Sequence, residues 1–93
     1  MKIAINKCYG GFELSKFACE KLGCGPFYYD EQGERTDERL INLIETYGSE
    51  KCSGGCAALI IVEIPDENTD WEIDEYDGIE SVTYVIDGKI HHA

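Results

Sequence analysis

In the segment Lys7-Cys8-Tyr9-Gly10-Gly11-Phe12, two glycines stand between aromatic side chains and follow a lysine, a composition that lets backbone amides approach an anion. A helix starting just beyond them would add about half a positive charge at its N-terminus, so a phosphate would dock here. The segment lacks the full G-x-G-x-x-G spacing, and its lysine precedes the glycines where a P-loop lysine follows them. The same residues also read as a tight strand-to-helix turn with Tyr9 and Phe12 in the core.

A second chemistry is acidic. Glu63, Asp66, Glu67, Asp70, Glu72, Asp74, Glu75, Asp77 and Glu80 follow one another with no Lys or Arg among them, and they carry most of the formal net charge of -11. Like charge at this density must be solvated, bind a cation or press against a basic partner. Asp70-x-Glu72-x-Asp74-Glu75-x-Asp77-Gly78 approaches a calcium loop, but hard-cation loops run D-x-D-x-D-G with a distal Glu. The intervening Trp71, Ile73 and Tyr76 are core residue types, so the alternation reads as a strand with a wet acidic face. That face is either a plain charged edge, which resists aggregation, or a surface on which Glu67, Asp70, Glu72, Asp74, Glu75 and Asp77 dock a basic protein.

Cysteine spacing is the third signal. Cys19-x4-Cys24 and Cys52-x3-Cys56 together offer four thiols, enough for a tetrahedral zinc site, yet neither pair has the usual C-x2-C spacing. The expectation is small buried or partly exposed thiols, with no metal and no cofactor. Cys8 as a nucleophile would need a base, and the two histidines, His91 and His92, stand at the far end of the chain. Asp74 and Asp77 as an acid and base pair have no His or Lys close in sequence, so a small hydrolase is the least supported reading and the balance lies with a non-enzymatic protein.

A chain of 93 residues fits a single domain over 1–93, with a modest core. Its 43% hydrophobic content is ample for folding. No apolar run approaches the roughly 18 residues needed to span a bilayer, and no secretory signal is visible, so the expected location is the cytoplasm. The acidity opposes direct contact with nucleic acid or an anionic membrane. Exposed strand edges in so small a domain predict a homo-oligomer.

These groups need elements to hold them. Ile3 and Ile5 alternate with Ala4 and Asn6, predicting an opening strand stopped by Gly10-Gly11. Leu14, Phe17, Ala18 and Leu22 fall at helical spacing, with Ser15 near the start and Gly23 as the stop. The stretch from Phe27 to Gly33 reads as an extended segment and turn. Thr36 or Asp37 caps a second helix carrying Leu40, Ile41, Leu43, Ile44 and Tyr47, ended by Gly48. A polar connector over 48–55 precedes a strand over 56–64 that is apolar on both faces, as a central strand is. Asp77-Gly78 turns the chain, and Asp87-Gly88 predicts a type I′ hairpin. The fold class is α+β: two helices on one face of a small mixed, mostly antiparallel sheet, ending in a C-terminal β-hairpin.

The opening Met-Lys-Ile-Ala-Ile-Asn-Lys-Cys-Tyr-Gly-Gly-Phe-Glu-Leu-Ser, the Arg35-Thr36-Asp37-x-Arg39-Leu40 helix start, Val62-Glu63-Ile64-Pro65-Asp66 and Trp71-Glu72-Ile73-x-Glu75-Tyr76-Asp77-Gly78-Ile79-Glu80 resemble a group of small phage- and prophage-encoded proteins of unassigned function. The likeness covers most of the chain and is weakest over 81–93 and at Cys19, Cys24 and Cys52. It implies an accessory factor that disables a host defence component inside the host cell. In one mechanism Gly10 and Gly11 hold the phosphates of a small anionic nucleotide signal, Tyr9 or Phe12 stacks on its base, and Lys7, Arg35 or Arg39 supplies charge. In the other, the carboxylates of residues 63–80 imitate a phosphate backbone in the channel of a basic host protein such as a nuclease. The glycine turn places the nucleotide reading first.

Overall fold

The computed structural model describes residues 1–65 and 69–93. Strand β1 (Lys2–Asn6) pairs antiparallel with β2 (Leu59–Glu63), placing Ile3 opposite Val62 and Ile5 opposite Ile60 on one face. Ala4 and Ile61 share the other face. Both faces of this ribbon are apolar, so both must be covered, and two different layers cover them.

Helices cover the first face. Helix α1 (Lys16–Leu22) is capped by Ser15, whose hydroxyl accepts from the Ala18 amide at 3.1 Å, and it ends at Gly23 in the left-handed conformation. Helix α3 (Glu38–Tyr47) is capped by Asp37, which accepts from the Arg39 amide at 2.9 Å. Its Leu40, Ile41, Leu43 and Ile44 pack with Ala4, Leu59, Phe12, Leu14 and Ala18 into the larger core. Two single-turn helices complete this layer: α2 (Tyr28–Glu31) and α4 (Ser49–Cys52). The extended segment expected around Phe27-Tyr28-Tyr29 is therefore helical. Tyr29 is buried and its hydroxyl donates to Asp37 at 2.7 Å, so tertiary packing overrides the β preference of the aromatics.

A three-stranded meander covers the second face. β3 (Asp70–Tyr76), β4 (Ile79–Ile86) and β5 (Lys89–His92) are all antiparallel, in the order β3-β4-β5. Trp71, Ile73, Val82 and Tyr84 face Ile3, Ile5, Ile60, Val62 and Ile64 and form the second core. The α+β class and the closing hairpin are as the sequence reads. The strands, however, divide into two small antiparallel sheets, and the doubly apolar β2 is central in the stack of layers rather than within one sheet. Both hairpins turn through Asp-Gly pairs with positive φ at each residue, 51° at Asp77 and 86° at Gly78, 51° at Asp87 and 75° at Gly88. These are the angles a two-residue type I′ turn demands. No helix among the described residues is long and apolar enough to cross a membrane.

Candidate functional site

The glycine turn and the β3–β4 turn meet. The Gly10 amide donates to the Asp77 carbonyl at 3.0 Å, and both Gly10 and Gly11 hold φ at 101°. A Cβ on Gly78 would strike the Gly10 and Gly11 backbone nitrogens, so only glycine permits this approach. Asn6, fully buried at the end of β1, fastens the junction: its Nδ2 donates to Gly78 O at 2.9 Å and to Cys8 O, and its Oδ1 accepts from the Ala58 amide at 2.8 Å.

Beneath the junction lies an ion pair. Arg35 Nη2 donates to Glu80 Oε2 at 2.7 Å and Nη1 to Glu80 Oε1, with side chains only 10% and 5% exposed. Arg35 Nε donates to Tyr29 O at 2.8 Å, and its guanidinium carbon lies 4.0 Å from the centre of the Phe12 ring. Glu80 Oε1 also accepts the Asn6 amide at 2.8 Å. Asn6 and Glu80 were not among the site residues expected from sequence. The available signal was parity: Asn6 shares the inward register of Ala4, and Glu80 the inward register of Val82.

The residues expected to hold an anion are thus dispersed. Phe12 is completely buried, Arg35 is spent on Glu80, and Arg39 Nη2 donates to the Leu22 carbonyl at 2.9 Å, closing the end of α1. Lys7 and Tyr9 are exposed, Tyr9 at 63%. The N-terminus of α1 begins at Lys16, beyond the glycines, and Ser15 already occupies its amide at Ala18. The depression over Gly10, Gly11 and Gly78, about 430 Å³, is lined by Asp30, Glu75, Asp77 and Glu80. Two of its amides are engaged, the Gly10 N–H with the Asp77 carbonyl and the Gly78 N–H with Glu75 Oε1 at 2.6 Å.

The acidic surface is better assembled. Asp70, Glu72 and Asp74 stand at alternate positions of β3, opposite Val85, Thr83 and Ser81, on the outer face of the meander. Two-residue steps along a strand set the backbone positions of these residues about 6.8 Å apart. The same face carries exposed apolar side chains at both ends: Val85 with Ile90 at one, Tyr76 with Ile79 at the other. Asp70, Trp71, Glu72, Thr83, Val85 and Ile90 outline a shallow groove of about 270 Å³. Glu75 and Asp77 lie at the glycine junction instead, and Glu67 falls outside the described residues.

On the opposite side of the molecule, Lys21 and Lys51 lie over the edge-on pair Phe17 and Tyr47 at 4.6 to 6.0 Å from the ring centres. His91 stacks on Tyr84 at 5.3 Å. Among the described residues no group of three or more His, Cys, Asp or Glu side chains is arranged to hold a metal ion. In comparisons with known proteins the chain matches no family model, no curated protein and no solved structure at a significant level.

Proposed function

We propose that this chain is a non-enzymatic binding protein, in the manner of the phage accessory factors it resembles, and that the outer face of β3-β4-β5 docks a basic protein of the host by imitating a nucleic-acid backbone. One observation carries the reading. Among the described residues, four of the eight exposed large hydrophobics (Tyr76, Ile79, Val85 and Ile90) lie on the sheet face that carries the row Asp70, Glu72 and Asp74. Apolar anchors supply affinity by excluding water, while charge steers the encounter and fixes orientation. A merely solvated acidic edge has no use for such anchors.

The same geometry ranks the nucleotide reading second. Four carboxylates line the glycine depression; Arg35 offsets Glu80 and lies 3.8 Å from Asp30, which leaves Glu75 and Asp77 to face a phosphate at close range. Screening over about 8 Å at 0.15 M salt does not relieve repulsion at that range.

The test is affinity capture with the wild type and with the Glu72→Lys/Asp74→Lys variant, followed by calorimetry on the purified partner. The expected partner is a cationic nucleic-acid-binding protein that the wild type retains, that the charge-reversed variant loses, and whose affinity falls as salt rises. Tight binding of a cyclic or ADP-ribose-derived nucleotide, unchanged by the reversal and lost in Gly11→Val, would return the function to the glycine turn.

A further inference from the structure

Cys19 and Cys24 belong to the cysteine spacing that the binding surface leaves unused. Helix α1 ends so as to bring them together. The Gly23 and Cys24 amides both donate to the Cys19 carbonyl, at 2.8 and 3.2 Å, with Gly23 left-handed between them. The six-to-one bond from Cys24 back to Cys19 is that of a Schellman cap, and the five-to-one bond from Gly23 that of the simpler left-handed cap; both bring the backbone of Cys24 back over Cys19. With standard bond lengths and a normal bend at the amide nitrogen, a link of this length holds the two Cα atoms within about 6.5 Å, inside the reach of a disulfide.

Three further observations mark this pair out. Both residues sit half-buried at the margin of the helical core, with the Cys19 Sγ 4.0 Å from the Leu14 carbonyl. The Arg39 guanidinium, fixed at 2.9 Å on the Leu22 carbonyl, braces the same cap. Cys52, by contrast, is fully buried with its Sγ turned to the Leu43 carbonyl, closed to reagents.

We propose that Cys19 and Cys24 form a thiol–disulfide pair that clamps the C-terminal cap of α1 when a small disulfide such as oxidised glutathione is available. The sulfur of one cysteine, as thiolate, attacks the oxidant and forms a mixed disulfide, releasing one glutathione thiolate. The second cysteine then attacks the protein sulfur of that mixed disulfide, the Cys19–Cys24 bond closes, and the other glutathione leaves. Two electrons pass to the oxidant and the two thiol protons end on the two released glutathiones. Burial raises both thiols above their ordinary value, with Cys24, Glu13 and Glu20 adding to it at Cys19. At Cys24 the Arg39 charge favours the thiolate and Asp37 opposes it, so the exchange quickens as pH rises toward the thiol range. The clamp is independent of the partner surface.

The native chain is incubated with oxidised glutathione at graded ratios to reduced glutathione, alkylated, and mapped by peptide mass spectrometry. The expected product loses two hydrogens, retains no glutathione and links Cys19 to Cys24. The Cys8→Ser/Cys56→Ser variant gives the same link, and Cys24→Ser instead keeps one glutathione on Cys19. Stable glutathione on both cysteines of the wild type, a link through Cys8 or Cys56, or persistence of both free thiols would overturn the assignment.

Discussion

Each nitrogen of Arg35 is engaged within the protein: Nε with Tyr29, Nη1 with Ala4 and Glu80, Nη2 with Glu80, and Asp30 Oδ1 stands 3.8 Å from Nη2. A bidentate pair this deeply set repays the desolvation of its charges only while both partners are present. Glu80→Gln and Arg35→Ala are each expected to lower unfolding stability by about 3 to 5 kcal/mol in urea titrations. Replacing both with apolar residues of similar volume, Arg35→Met with Glu80→Leu, is expected to recover much of that loss, although the Asn6 amide loses its acceptor. Two single variants near the wild type would mean that the pair is solvated. Sequence offered Arg35 as a ligand for phosphate because its counter-charge lies 45 positions away, within a run of acids in which Glu80 looks like any other. What separates Glu80 from Glu72 is the face of its strand, and that face is decided by the layer beneath it.

At the scale of elements, local chemistry was legible wherever local chemistry decides. Ser15 and Asp37 cap their helices, Gly23 and Gly48 end them, and the two Asp-Gly pairs turn their hairpins. The single-turn helices α2 and α4 were not legible, since four residues carry too little periodicity and α2 is held by Tyr29 rather than by propensity. The two hairpin glycines permit a controlled comparison. Gly78 and Gly88 both hold positive φ, so alanine at either is expected to cost about 1 to 2 kcal/mol in backbone strain. A Cβ on Gly88 meets nothing within 4 Å, whereas one on Gly78 meets the backbone of Gly10 and Gly11. Gly78→Ala is therefore expected to be worse by a further 1 to 3 kcal/mol or so, the cost of forcing apart packed groups. It should also shift the amide resonances of Gly10 and Gly11, which Gly88→Ala leaves in place. Equal effects at both positions would show that the two turns do not touch.

Across the whole molecule, the ribbon β1-β2 is the shared wall of two cores, and the helical layer reaches it partly through groups that must stay protonated. Sequence showed that β2 is apolar on both faces, but periodicity does not say which element covers which face, so the division into two sheets became visible only with the strand pairing. Tyr29 is the titratable group most affected by this arrangement. Burial, then the hydrogen bond to Asp37 and its negative charge, push the phenol well above its ordinary value of 10.0. Burial likewise raises Cys19, Cys24 and Cys52 above 9.0. In the unfolded chain these groups lose their protons at the ordinary values, while the folded chain retains them. The unfolded state therefore binds fewer protons above about pH 9, and stability must fall as pH rises through that range. Below it the contribution is fully present. Urea midpoints measured between pH 7 and 10.5 are expected to hold level to about pH 9 and then decline, more steeply past 10 as Tyr29 joins the thiols. Tyr29→Phe is expected to start about 1 kcal/mol lower at pH 7, through loss of the bond to Asp37. Its midpoints should then fall less steeply above pH 10, because the phenol is no longer there to titrate. Parallel profiles for the two proteins would place the Tyr29 hydroxyl in solvent and release α2 from its tie to the start of α3.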